Sequence, residues 1–152
     1  MAVDFTNTIN QYISSSASGL LLTVKSYLIW YYLDTLTTTS RFAGIFGTTT
    51  HTDYLFEVFQ SSTANKIAVS QDFSTTAGLW RTTSDTATGA LKHLAVTYDA
   101  SLTTNDPIIY FNGVAQAITE VQTPVGTVAT GSAGTTMQVG ATTGLNSIDG
   151  RI

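Results

Sequence analysis

The chain is punctuated as a succession of short strands. Stretches rich in β-branched, aromatic or aliphatic residues are separated by clusters of Thr, Ser, Gly, Asn and Asp. The stretches fall at residues 3–5, 12–13, 20–24, 27–36, 42–46, 54–60, 66–70, 79–83, 92–98, 108–111, 114–117 and 137–141. No window of ten residues carries the 3.6-residue periodicity of an amphipathic helix. The gaps are too short for the crossover helix that a parallel strand pair needs, so the pattern predicts an antiparallel meander or Greek-key sandwich. With 152 residues, no internal repeat and no linker-like stretch, one domain spanning residues 1–152 is expected.

Two segments carry the strongest local signals. Along 93–98, Leu94, Val96 and Tyr98 share one face, and His93, Ala95 and Thr97 the other. Along 108–114 both faces are apolar until Asn112-Gly113, a dipeptide whose tolerance of positive φ favours a two-residue hairpin. This predicts a covered strand turning tightly into its neighbour. By contrast, 119–136 reads as a long connection with an edge strand at 126–129.

Composition narrows the class of function. A hydrophobic content of 43% and a mean hydropathy of +0.16 are enough to fill a core. Only 11% of residues are charged, against roughly 25% in a typical soluble domain. Hydroxyls take their place: Thr 29 and Ser 14 together make 43 of 152 residues. Thr favours strands and carries a neutral hydrogen-bonding group, so a hydroxyl-coated β-protein is implied. The net charge is -4, and the six basic residues are scattered, which argues against binding driven by nucleic-acid phosphates. Without cysteine there are no disulfides, thiolate nucleophiles or Cys-based zinc sites. No Asn-x-Ser/Thr sequon occurs, and the first residues lack the basic and apolar regions of a signal peptide. The most apolar segment, 19–36, is interrupted by Lys25, Ser26 and Asp34, and is expected to pack as strands rather than insert into a membrane.

The order of the C-terminal half is informative. Leu91-Lys92-His93-Leu94-Ala95-Val96-Thr97-Tyr98-Asp99 precedes Ile109-Tyr110-Phe111-Asn112-Gly113, then Met137-Gln138-Val139-Gly140-Ala141, then Ile148-Asp149-Gly150-Arg151-Ile152. In that order the chain resembles the laminin-G-like branch of the concanavalin A-like lectin/glucanase superfamily, whose members carry W-x-H-V-A-x-T-Y-D, Y-V-D-G, I-G and F-x-G-x-I-D-E-V. Leu28-Ile29-Trp30-Tyr31 stands where the family has an F-T-I-x-x-W strand. Residues 41–46 followed by 54–58 fit the next hairpin. The resemblance implies an all-β fold, an antiparallel β-sandwich (jelly roll). It also implies binding to glycans or protein surfaces. In two places the chain departs from the pattern. Leu91 replaces a core aromatic, and the sequence stops at Ile152 where the family runs on. The final strand is therefore expected to be incomplete, its edge closed by a partner subunit or by further sequence.

The candidate chemistry can be weighed residue by residue. Glycoside hydrolysis needs two carboxylates roughly 5 to 10 Å apart across the scissile bond. The related glucanases carry them as Glu-x-Asp-x-x-Glu, whereas Glu57 and Glu120 are isolated here. No Gly-x-Ser-x-Gly elbow is present for serine chemistry. His93, in an alternating strand, is expected to be structural. His51 lies in a Thr-rich segment that reads as a solvated or ligand-facing loop. Some laminin-G-like domains bind calcium through rim oxygens, which makes calcium a possible cofactor. Asp53, Asp72, Asp99, Asp106 and Asp149 are the loop candidates, with turn formation as the alternative role for each.

Sugars stack on aromatic rings and bind through hydroxyl, amide and carboxylate partners. Trp80 with Arg81, and Tyr54 with His51 and Asp53, are the candidate ligand residues, core packing being the alternative for Trp80 and Tyr54. Alternate members of Trp30, Tyr31 and Tyr32 are expected in the core. The resulting expectation is a non-catalytic, lectin-like adhesion module displayed on a virion or extracellular assembly. Its partner would be a glycan or a neighbouring structural protein, with neither nucleic acid nor membrane insertion involved. The competing expectation is a structural capsid-decoration or fibre-associated domain, which would act as a homo-oligomer or within a capsid assembly.

Overall fold

The computed structural model describes residues 2–5, 12–16, 23–36, 39–46, 54–61, 65–129, 135–140 and 148–152. Two antiparallel sheets make a sandwich. One orders its strands β1 (Asp4–Phe5), β13 (Gly150–Arg151), β3 (Val24–Leu33), β8 (Lys92–Asp99), β9 (Ile108–Phe111) and β10 (Val114–Ala115). The other orders β11 (Ile118–Gln122), β7 (Gly78–Thr82), β6 (Lys66–Gln71), β5 (Tyr54–Ser61), β4 (Ser40–Phe46), β12 (Thr136–Val139) and β2 (Ile13–Ser16). Among the described residues no helix is long and apolar enough to cross a membrane.

The core follows from alternation along each strand. On β8, Leu94, Val96 and Tyr98 are buried, as their spacing predicts. On β3, Ile29 lies opposite Leu94 and turns inward with Tyr31 and Leu33. From the seven-stranded sheet come Phe42, Phe56, Val58, Ile67, Val69 and Trp80. Tyr31 meets Phe42 edge-on at 4.9 Å, and its buried hydroxyl shares a 2.9 Å hydrogen bond with Thr86 Oγ1. Trp80 meets Tyr98 edge-on at 5.2 Å.

Asn112 (φ 50°) and Gly113 (φ 81°) form the tight turn between β9 and β10. The stretch read as a connection is more ordered than expected. Ile118–Gln122 pairs with β7 as an edge strand, and among the described residues that follow, the strand expected at 126–129 is reduced to isolated bridges, Val125 to Thr76 and Val128 to Phe73. β11 is exposed along almost its whole length, so it carries no inward apolar alternation that would mark it.

At the other sheet's edge, β13 lies between β3 and β1. Gly150 there has φ 151°, and a Cβ at that position would sit 1.9 Å from the Tyr32 carbonyl oxygen, so only glycine fits.

Candidate functional site

β3 exposes an apolar face as well as burying one. Its inward set is Lys25, Tyr27, Ile29, Tyr31 and Leu33, which places Val24, Ser26, Leu28, Trp30 and Tyr32 on the outer face of the six-stranded sheet. Trp30 is 59% exposed. It pairs with His93 across β8, the two rings 5.0 Å apart and tilted by 52°. His93 is fixed in turn by the hairpin: its amide donates to Asn112 Oδ1 and its carbonyl accepts from the Asn112 amide, both at 2.8 Å.

Two shallow depressions meet at Trp30. One, of about 480 Å³, is lined by Trp30, Leu91, His93 and Asn112. The other, also about 480 Å³, is lined by Trp30, Tyr32, Leu91, Arg151, Ala2 and Ile152. The Arg151 guanidinium lies over the Tyr32 ring at 5.3 Å, with Asp4 at 3.9 Å. Leu91, expected to fill a core position, is instead exposed beside Trp30, because it precedes the buried alternation of β8. An exposed tryptophan face flanked by an imidazole, a side-chain amide and a guanidinium is the arrangement on which a pyranose stacks and hydrogen-bonds.

The residues singled out in the sequence fall elsewhere. Trp80 is fully buried: β7 alternates Gly78, Trp80 and Thr82 inward, and the indole Nε1 donates to Asp106 at 2.6 Å. It is therefore a core residue and offers no stacking ring. Arg81 points to the opposite side of β7, in register with Ala68 and Thr119, in a depression of about 300 Å³ with Lys66, Thr82 and Thr83. Tyr54 is half-buried at the start of β5, opposite Phe46. Arg81 aligns through Ala68 with Phe59, five residues along β5, so the two candidates belong to different places on the sheet. His51 and Asp53 lie outside the described residues.

The remaining acidic candidates have local roles. Asp99 accepts from the Ser101 amide at 2.9 Å, and hydrogen bonds from Ser101 hold its carboxyl below the usual range. Asp149 accepts from Thr35 Oγ1, and Asp72 donates its amide to the Leu55 carbonyl. Among the described residues no three His, Asp or Glu side chains gather where a metal could be held. Glu57 lies on the outer face of the seven-stranded sheet, 2.7 Å from Arg41 Nε. Burial pushes its carboxyl up, and the Arg41 charge and hydrogen bond only partly offset this.

Sequence reasoning missed Trp30 because residues 27–33 are apolar on both faces and give no alternation of their own. The signal lay in the partner strand. β8 alternates clearly, and its polar set of His93, Ala95 and Thr97 shares the face of Trp30.

Comparison with known proteins agrees with the fold. No curated protein matches the chain. Among solved structures, that of a candidate carbohydrate binding protein from Bacteroides ovatus superposes with a TM-score of 0.64 at 18% identity. The match covers 92% of this chain and 38% of that one, so the domain spans well under half the length of the protein it resembles. A laminin G family model, described as Concanavalin A-like lectin/glucanases superfamily, matches residues 6–152. With that match added to the two antiparallel sheets, the chain belongs to the concanavalin A-like lectin/glucanase superfamily.

Proposed function

We propose that this domain binds glycans without catalysis, through the platform centred on Trp30, as an adhesion module displayed on a virion or extracellular assembly. The observation that carries the reading is Trp30 itself, more than half exposed on an open sheet face with His93 and Asn112 beside it. A bare indole on water is costly, and a sugar ring stacked on it recovers that cost while leaving its hydroxyls to polar neighbours. The lectin-containing family and the carbohydrate-binding description of the Bacteroides ovatus protein support it.

The carboxylates support a non-catalytic reading. Glu57 is tied to Arg41, and Glu120 stands on β11, three strands away across the sheet. That separation is about 14 Å at the usual spacing of neighbouring strands, too far for a glycosidase pair. The test is a glycan array with wild-type protein and Trp30→Ala, alongside reducing-sugar release from mixed β-glucans. Binding lost in Trp30→Ala, with no sugar released, is the expected result. Release of sugar that Glu57→Gln or Glu120→Gln abolishes would refute the non-catalytic reading.

A second reading rests on a different feature of the same face. Val24, Leu28 and Ile108 continue the exposed apolar surface of this face away from Trp30. They fit contact with a neighbouring structural protein, as in a particle-decorating domain. A stable oligomer with no array-positive glycan would favour this reading over the first.

A further inference from the structure

At the end of the sandwich remote from Trp30, a lysine points between the sheets. Lys25 alternates inward with Tyr27 and Ile29, opposite Tyr98 on β8. Its ammonium lies 5.1 Å from the Phe56 ring centre and 5.7 Å from that of Tyr98. It also donates to Gln71 Oε1. The Gln71 amide is oriented for this, because its Nε2 donates to the carbonyls of Leu55 at 2.7 Å and Asp72 at 3.0 Å.

No ion pair reaches Lys25 among the described residues. The Tyr27 hydroxyl is also buried and has no hydrogen-bond partner among the described residues. Beside both lies a cavity of about 140 Å³, lined by Lys25, Tyr27 and the largely apolar Ala43, Ile45, Phe56 and Met137. A half-buried cation without a counter-ion and a buried hydroxyl without an acceptor are each costly, and one ionised oxygen ligand would relieve both. The volume is close to that of the roughly 150 Å³ apolar cavity known to admit benzene.

We propose that this cavity is a binding site for a small monocarboxylate with an apolar body, its carboxylate on Lys25 and Tyr27 and its body against Ile45, Phe56 and Met137. The site is separate from the Trp30 platform and does not depend on the glycan reading. Affinity follows the charge on Lys25, whose pKa burial lowers to about 8. The other titrating groups around it are Tyr27 and Tyr98, and Asp99 and Asp106, which line the adjoining recess with Lys25. Burial raises both tyrosines, and Asp99 is held low, so none of these three changes charge between weakly acidic and weakly alkaline pH.

The test is methyl NMR of Met137 and Ile45 during titration with benzoate, with benzyl alcohol as the uncharged control. Benzoate is expected to shift both methyls, and its affinity to fall about tenfold or more between about pH 6.5 and about pH 9.5. Lys25→Met should lose benzoate binding while melting cooperatively, and Trp30→Ala should keep it. Unmoved methyls, meaning water only in the cavity, would overturn the proposal. So would benzyl alcohol binding equally well, or an affinity independent of pH. The wild-type pH series decides the matter even if Lys25→Met fails to fold.

Discussion

The two tryptophans show how one residue type acquires opposite roles from strand phase alone. Trp80 falls on the inward phase of β7 and joins the core, with its indole N–H held by Asp106. Trp30 falls on the outward phase of β3 and remains open to solvent. Trp80→Ala should therefore cost about 3–5 kcal/mol in urea unfolding, the usual penalty for emptying an aromatic core position. Trp80→Phe keeps most of the packing but loses a hydrogen bond to a carboxylate, a cost of about 1.5–3 kcal/mol. Trp30→Ala removes no core contact and should stay within roughly 0.5 kcal/mol of wild type, while abolishing glycan binding. Local context could not separate the two tryptophans. The neighbouring Arg81 made Trp80 resemble a ligand residue, whereas Trp30 sat in a uniformly apolar run.

At the level of elements, legibility tracked how one-sided each strand is. β8 and the Asn112-Gly113 hairpin were readable because one side of the strand, or one turn geometry, was chemically marked. β11 was not readable: as an exposed edge strand it shows no pattern of burial, and its order comes from pairing with β7. The short β13 depends on Gly150, which no periodicity reveals. Gly150→Ala should destabilise by more than about 1 kcal/mol, since the backbone conformation and the Tyr32 carbonyl both exclude a Cβ. The lowered melting temperature should be accompanied by weaker glycan binding, because Arg151 follows directly. Between β4 and β5, Arg41→Met leaves Glu57 almost fully buried without its counter-ion, at a cost of about 3–5 kcal/mol. Arg41→Met combined with Glu57→Leu should recover much of that loss in the same urea series.

For the molecule as a whole, the low charge and abundant hydroxyls were correctly read as marks of a β-protein, but they do not select which face acts. The family resemblance supplied the fold, whereas the Trp30 site required strand register. The interior also leaves a signature in the pH dependence of stability. Lys25 holds its proton less tightly in the fold, at about 8 against an ordinary 10.5. Between those values the unfolded chain binds more protons, so stability rises with pH. The rise ends near pH 10, where unfolded tyrosines ionise while Tyr27, Tyr31 and Tyr98 keep their protons in the fold. Melting temperatures should therefore increase from about pH 7.5 to about pH 9.5 and then fall, and Lys25→Met should flatten the increase.

The central claim, that Trp30 is the stacking surface for a sugar, is tested most directly by tryptophan fluorescence. The chain has only two tryptophans, so Trp80→Phe leaves Trp30 as the sole emitter. Titrating that variant with a glycan returned by the array should shift the emission to the blue and reduce acrylamide quenching by roughly half or more, as the ring becomes covered. A glycan that binds while leaving the emission and quenching of Trp30 unchanged would contradict the account.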